Sequence, residues 1–427
     1  MEFYFPSLGG AQEVVRRIAE QLAARGHSVT VATSRIAGRN FLTHRGVRIK
    51  EFAITGNLVR GMRGEVERYH EYLVNEYFEV VFFYAAQQWT FDAAWAVMDK
   101  ILGKKVLVPC GYSGLYDPAY SRYFASLPKI LGRFDHLIYH AASYRDVEYG
   151  RAHSLVHSSL IPNGAECTEF FIARDLEFRL RHNISDDAVV LLTVGTMTGA
   201  KGHAESLDAF ERATFPGRSA VLILNGNEPR ANAPSFAALR LLYGILRTYD
   251  WRHTWKQAVK KILWKCGVRV GKARTIRELA VRLGKRSGRN KRVIVCDLPR
   301  EELIQAFLNA DLFVFASNVE YSPLVLFEAS AAGLPFLSVP VGNAAEIAAW
   351  TGAGAICPAS IDARGYTRVS PDELARNMEA LIADPEKRVE MGRCGRRAFQ
   401  ERYNWDAISK EYEALFMRLV GTAAKTE

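Results

Sequence analysis

Two glutamates with seven residues between them, Glu320 and Glu328, bracket the turn into a helix within RVIVCDLPREELIQAFLNADLFVFASNVEYSPLVLFEASAAGLPFLSVPVGNAA, residues 292–345. The stretch reads as strand, helix, strand, acidic loop, helix and strand in unbroken succession. Glu320 closes a buried strand over 311–317 and Glu328 lies on the helix that starts near Ser322. Both carboxylates should therefore face the carboxyl end of a parallel sheet, where open α/β sheets bind ligands. Pro323 supplies the fixed φ of a first helical turn, and the N–H groups of Ser322, Leu324 and Val325 with the positive dipole end form an anion site. Carboxylates for hydroxyls beside a helix start for phosphates suit a nucleotide sugar. Gly9 and Gly10 form a second such turn, where the lack of Cβ lets backbone approach phosphate or acceptor closely; alone, a Gly-Gly turn is a weak signal.

The elements that must position these residues follow the α/β alternation of a parallel sheet. The spacing of Val14, Val15, Ile18 and Leu22 predicts a helix over 11–25, ended by Gly26. Short bounded apolar runs predict strands at 28–33, 79–84, 105–109 and 136–140. After Phe170 the pattern restarts with strand 188–195, helix 203–212 and strand 220–224, which places a linker at 160–175. Ser370-Pro371-Asp372-Glu373 reads as a capping box with proline at the first helical position. Domains are expected at 1–165 and 175–400, with the helix from Trp405 in the closing segment 401–427 returning to the first domain. Only Met1–Phe5 precede the Pro6–Gly10 turn, so the first strand is expected to be short or to begin ahead of Met1.

Composition agrees: 427 residues, 49% apolar and 24% charged, suffice for two globular domains. Six cysteines without CxxC spacing argue against a zinc site or disulfide framework and fit a reducing cytoplasm. No apolar run of about eighteen residues exists to span a bilayer, and the N-terminus lacks a basic region followed by an apolar core. Any membrane association is expected to be peripheral.

Glu320 and Glu328 followed by EASAAGLPFLSVPVGNAAE resemble the signature of retaining glycosyltransferases of family 4, with the GT-B fold of two Rossmann-like, doubly wound domains facing a cleft. IPNGAECTEF at 161–170, LLTVGTMTGAKGHAESLDAF at 191–210, the FPSLGGAQE turn and the closing NWDAISKEYEALF stand in the order that family has them. The resemblance covers nearly all of the chain except one basic segment. It implies a nucleotide-sugar donor and no metal ion. It makes Lys201, in AKGH between a strand and a helix, the diphosphate cation beside Gly195 and Thr196; it turns Glu320 toward the donor sugar and makes Glu328 an acceptor for the ribose hydroxyls. The loop with Asp297 and Leu298 would cradle the nucleobase. The bland alternatives are a solvated Lys201 and Glu320 and a Glu328 that caps a local network. Glu346 has two readings, a site residue or a capping acid.

The chain departs from the family in three places. An arginine common after the strand's glycine is here Thr196. The stretch after the first glutamate, often glycine-rich, is Tyr321-Ser322-Pro323-Leu324. A histidine common after the strand over 105–109 is replaced by Cys110, which cannot do an imidazole's work. His136 and His140 on the next strand read as core or surface histidines. For the retaining route the family's leaving phosphate oxygen takes the acceptor proton, so no general base is required.

A basic insertion at 230–292 is the other distinctive feature. Residues 237–292 hold ten Arg and seven Lys against one Asp and one Glu, a net of +15 in a chain of +10, so the remainder is near −5. Such local basicity concerns a partner. Trp251 and Trp255 share a helical face with Ala258, Val259 and Ile262, and Arg252, Lys256, Lys260 and Lys261 surround the other, as in an interfacial membrane helix, although Trp264 falls off that face. A second helix is expected over 275–283. At about 1 kcal/mol per basic residue near an anionic leaflet, half these charges would hold the chain on the inner face of a membrane, near a glycan or lipid-linked acceptor. The alternatives are a solvated excursion packed on the domain and, less favoured, nucleic-acid binding.

The reading is thus a cytoplasmic, peripherally membrane-associated retaining glycosyltransferase of polysaccharide or lipopolysaccharide assembly. The competing class is a catalytically silent GT-B scaffold in glycan assembly, favoured by the missing histidine and arginine. A GT-B epimerase or phosphorylase fits the fold but not the ordered motifs.

Overall fold

The computed structural model describes residues 1–227, 276, 278, 280–281, 290–363 and 365–423. The face carrying Trp251, Trp255, Lys256, Lys260 and Lys261 lies outside the described residues, and of the second expected helix only positions 276, 278, 280 and 281 are described, all helical.

The C-terminal half is built on six parallel strands in the spatial order Lys291–Cys296, Ala220–Asn225, Val189–Val194, Leu312–Phe315, Phe336–Ser338 and Gly354–Ile356. Val189–Val194 and Ala220–Asn225 are buried at every position, the mark of strands covered on both faces. Numbered within the half, the order is 3-2-1-4-5-6, and it reverses between Val189–Val194 and Leu312–Phe315. Ligands bind at such a reversal, outside the carboxyl ends of the strands. The loops leaving those two strands are the ones that hold Lys201 and Glu320.

The N-terminal half departs from a single sheet. Val80–Tyr84, Lys104–Val108, His136–Tyr139 and Ser158–Leu160 form four parallel strands, while Thr30–Ser34 and Val47–Phe52 pair in a separate sheet edged by antiparallel Thr43–His44. Met1–Phe5 form no strand; the Glu2 carbonyl accepts the Ser34 amide at 2.9 Å and the Thr33 hydroxyl at 3.0 Å, and the Glu2 amide donates to Gln88 Oε1 at 3.1 Å.

The closing helix Trp405–Ala423 returns to this half, where Trp405, Ile408, Tyr412 and Leu415 share a core with Val14, Val15 and Ile18 of the helix Gly10–Ala24. Arg25 pairs with Asp406 at 2.7 Å on its flank. Aromatic burial at Phe170, Phe178 and Phe307 anchors the linker on the C-terminal core; each such side chain contributes roughly 2–3 kcal/mol. The capping box at 370–373 is not formed. Pro371 opens the helix Pro371–Ala383, but the Ser370 side chain caps nothing and Glu373 pairs with Arg376 and Asn377 instead. Among the described residues no helix is long and apolar enough to cross a membrane.

Candidate functional site

Lys201 ends the loop that follows Val189–Val194, and Gly202 after it starts the helix His203–Arg212 with φ +78°. A Cβ on Gly202 would stand 2.2 Å from the Ala316 carbonyl carbon and 2.7 Å from the Ser317 nitrogen, so only glycine lets the two loops close on each other. The Ala200 carbonyl then accepts the Asn318 amide at 2.8 Å and the Ser317 hydroxyl at 3.1 Å. Lys201 Nζ consequently reaches Glu320 Oε1 at 2.5 Å, with Ser317 Oγ 3.2 Å from the same oxygen. Both side chains remain partly open, 32% for Lys201 and 16% for Glu320, so the pair sits at the surface of a cleft and is not locked in a core.

The helix beyond Glu320 runs Leu324–Ala332. It starts later than the sequence suggested: Pro323 is its cap, with ψ 116°, and not its first helical residue. Proline's fixed φ suits either place, so the residue alone does not set the register. No side chain caps the first-turn amides of Leu324 and Val325, and the Ser322 hydroxyl is buried without a partner. Gly10 opens the helix Gly10–Ala24, also without a side-chain cap, and a Cβ there would lie 4.0 Å from Leu324 Cδ1. Two uncapped helix starts therefore stand close to each other, one of them just after Glu320, the partner of Lys201. Their combined dipoles and unmet donors favour an anion between them.

Glu328 faces away from this pair, toward a second network. Arg300 Nη2 lies 2.6 Å from Glu328 Oε1 and 2.5 Å from Glu169 Oε2. Glu169 in turn takes Arg17 of the first helix at 3.0 Å, and Arg17 also pairs with Glu166. One chain of charge thus runs from the N-terminal helix through the linker to the C-terminal site. Arg300 and Glu169 were not identified from sequence. The acid pair Glu166 and Glu169 within the motif at 161–170 was the available signal, and it reads as ordinary linker charge without its partners. Arg300 directly follows the loop of Asp297 and Leu298 at the end of the edge strand, so it brings Glu328 and that loop together. Asp297 is exposed, whereas the Leu298 amide already donates to Asn225 Oδ1 at 2.8 Å and is not open to a base. Gly195 packs against Lys201, its position for a Cβ 3.1 Å from the lysine Cβ, and Thr196 is exposed on the same loop.

Tyr321 crosses to the N-terminal half. Its hydroxyl accepts the His140 amide at 3.0 Å, while Tyr144 donates to the Glu320 carbonyl at 2.7 Å and Asn343 to the His140 carbonyl at 2.7 Å. Glu346 does not cap its own helix; it accepts the amides of Ala142 and Ser143 at 2.7 and 2.9 Å, across the cleft. His140 is a core residue, bonded to Tyr84 and to the Ile161 carbonyl and pushed down to about 4 by burial; His136 bonds to Ser159. Burial, and then the Asp146 charge, push the Cys110 thiol up to about 12, so it stays protonated and takes over no imidazole role.

Asp146 is fully buried under Tyr321, accepting the Gly111 amide at 2.9 Å, and burial raises it to about 6 against its hydrogen bonds. A carboxyl raised on folding holds its proton more tightly in the folded chain, so the stability it contributes is lost as pH rises from the unfolded value through about 6. Asp146→Asn cannot ionise. Its stability relative to the parent should rise by roughly 2 kcal/mol between about pH 4 and about pH 6.5, read from denaturant unfolding at each pH; a flat difference would place the titration elsewhere.

The family model for glycosyl transferases group 1 matches residues 277–398, which include Glu320 and Glu328. No curated protein matches the chain by sequence. Solved structures similar over nearly all of it include sucrose-phosphate synthase from Thermosynechococcus elongatus, 18% identical, TM-score 0.68, covering 97% of this chain and 94% of that one. WaaG, a glycosyltransferase involved in lipopolysaccharide biosynthesis, is 17% identical with TM-score 0.60, covering 96% of each chain. Anabaena HepE in complex with UDP is 13% identical with TM-score 0.64, covering 98% of this chain and all of that one. The fold is thus GT-B, two Rossmann-like halves facing a cleft.

Proposed function

We propose that the chain is a metal-independent retaining glycosyltransferase of family 4, moving a sugar from a nucleotide-sugar donor to a glycan or lipid-linked acceptor in polysaccharide or lipopolysaccharide assembly. The observation that carries this reading is the Lys201–Glu320 pair at the strand-order reversal, 2.5 Å apart, with the uncapped helix start of Leu324 following Glu320 in the chain and that of Gly10 close to Leu324. The donor diphosphate would lie between the helix starts of Gly10 and Leu324, its charge met by their amides and by Lys201. Glu320, released from Lys201 as the diphosphate takes the ammonium, would turn to the sugar hydroxyls. The bond from the anomeric carbon to the diphosphate oxygen breaks, the acceptor oxygen bonds to the same face, and the acceptor proton passes to the departing phosphate oxygen. HepE structures with UDP and with UDP-glucose support a nucleotide-sugar donor, and WaaG's part in lipopolysaccharide biosynthesis supports the pathway. A membrane-side acceptor rests on the basic insertion.

Calorimetric titration of the purified chain with UDP-, GDP-, ADP- and dTDP-sugars tests the reading: one base should bind selectively, and no binding across a panel validated on a known transferase would end it. The scaffold reading is favoured by Thr196 and the inert Cys110, and it requires binding or complex formation with no turnover.

Arg300→Gln should weaken the preferred nucleotide about tenfold, because Glu328 loses the partner that orients it, an effect of ~1.4 kcal/mol. It should also shrink the preference for ribose over 2′-deoxyribose nucleotides. Loss of affinity equal for both sugars would mean Arg300 merely supports the fold.

A further inference from the structure

Glu320, Tyr321 and Ser322 are consecutive in the loop between the strand Leu312–Phe315 and the helix Leu324–Ala332, and each of the three is bonded to the N-terminal half. The Tyr144 hydroxyl donates to the Glu320 carbonyl at 2.7 Å. The Tyr321 hydroxyl accepts the His140 amide at 3.0 Å and bonds to the Asp146 carboxyl, and Asn163 Nδ2 donates to the Ser322 carbonyl at 3.2 Å. The C-terminal half holds the same loop on either side of Glu320. There the Asn318 amide donates to the Ala200 carbonyl at 2.8 Å, and the Tyr321 carbonyl accepts the Asn343 amide at 2.9 Å.

The sequence builds a socket for this crossing. Gly111 has φ +81°, and a Cβ there would stand 2.9 Å from both the Tyr321 and the Tyr144 rings, so any larger residue would push them away. With glycine in place the two ring centroids lie 5.2 Å apart, within the range of favourable aromatic pairs. Tyr144 and Asp146 stand on either side of Arg145, the first residue of the helix Arg145–Ala152. One short segment after the strand His136–Tyr139 therefore reaches both the Glu320 carbonyl and the Tyr321 hydroxyl.

We propose that Tyr144 is a positioning residue for sugar transfer: by holding the Glu320 carbonyl it fixes the backbone from which the Glu320 carboxylate reaches Lys201 and the donor sugar. Tyr321 seats the same segment in the N-terminal half, so the carboxylate is aimed by contacts from both halves. This rests on the proposed function for what Glu320 does to the sugar, whereas the positioning itself belongs to the free protein. One neutral hydrogen bond is a small part of the fold, but an error of about 1 Å at a reacting group can cost about a hundredfold. Loss of the Tyr144 hydroxyl therefore falls on turnover more than on stability.

Tyr144→Phe in the full chain removes that hydroxyl alone. It should lower kcat for donor hydrolysis about tenfold and leave the Kd for the nucleoside diphosphate unchanged. In a Glu320→Gln background it should cost little more, because it acts through that carboxylate. Tyr69→Phe is the control: its hydroxyl donates to the Thr90 carbonyl at 2.8 Å inside the N-terminal core, so its loss should lower Tm and keep kcat. Acetylation of Lys201, followed by peptide mass spectrometry, reads the Lys201–Glu320 pair without any turnover. Tyr144→Phe should speed it about threefold or more, and Tyr69→Phe should not. Parental labelling and turnover in Tyr144→Phe, full additivity with Glu320→Gln, or an equal kcat loss in Tyr69→Phe each overturns the proposal. Faster Lys201 labelling in Tyr144→Phe, with no donor turned over by the parent, would uphold the positioning and contradict the proposed function instead.

Discussion

Lys201→Ala should lose donor turnover by about 10²–10³ in kcat, with thermal unfolding nearly unchanged. The lysine contributes little to the fold, because its partner Glu320 keeps Ser317 within 3.2 Å and the pair is open to solvent, which screens it. On the proposed function it contributes charge where a diphosphate would depart, on a loop where the uncharged Thr196 supplies no second cation. Steady-state hydrolysis of the preferred donor by parent and variant measures it. A variant as active as the parent would remove Lys201 from the reaction, and a large fall in Tm would make the lysine structural.

Gly202→Ala should be as damaging without removing any chemical group. The new Cβ would be placed 2.2 Å from the Ala316 carbonyl carbon on a backbone with φ +78°, so the loops bearing Lys201 and Glu320 must separate. The expected cost is more than about 2 kcal/mol, together with a kcat loss approaching that of the lysine variant, since an error of about 1 Å in position can cost about a hundredfold. Gly199→Ala is the matched control. Its φ is +82° but nothing lies within 4 Å of its Cβ position, so it bears only the left-handed strain of roughly 1–2 kcal/mol. Denaturant unfolding separates the two, and equal losses would show that the Gly202 contact with Ala316 is not what closes the loops.

Much of this architecture is legible in the sequence because its strands are short apolar runs with polar or glycine ends. The strand expected at 220–224 is found at Ala220–Asn225, and the helix at 203–212 is His203–Arg212 as expected, since Gly202 and Ala213 bound it. The pairing of Lys201 with Glu320 was not legible. Those residues are 119 positions apart, and only the reversal of strand order sets their loops side by side. The Arg17–Glu169–Arg300–Glu328 chain escaped for the same reason: it joins four helices far apart in the sequence, and no one of them shows the partners of its charge. Local signals failed where tertiary contacts outbid them. Glu346 has the position of a capping acid yet serves the amides of Ala142 and Ser143 in the other half. Ser370 has the right residue type for a cap, but Glu373 is held by Arg376 and Asn377.

The most direct test of the central claim is turnover of the donor that the binding panel selects, followed by release of nucleoside diphosphate and by NMR of the sugar's anomeric configuration, with Glu320→Gln alongside. Slow release with the configuration retained, lost in Glu320→Gln, is the predicted result. Selective nucleotide binding with no release by the parent, with or without acceptor glycans, would contradict it and leave a GT-B protein that holds a donor without using it.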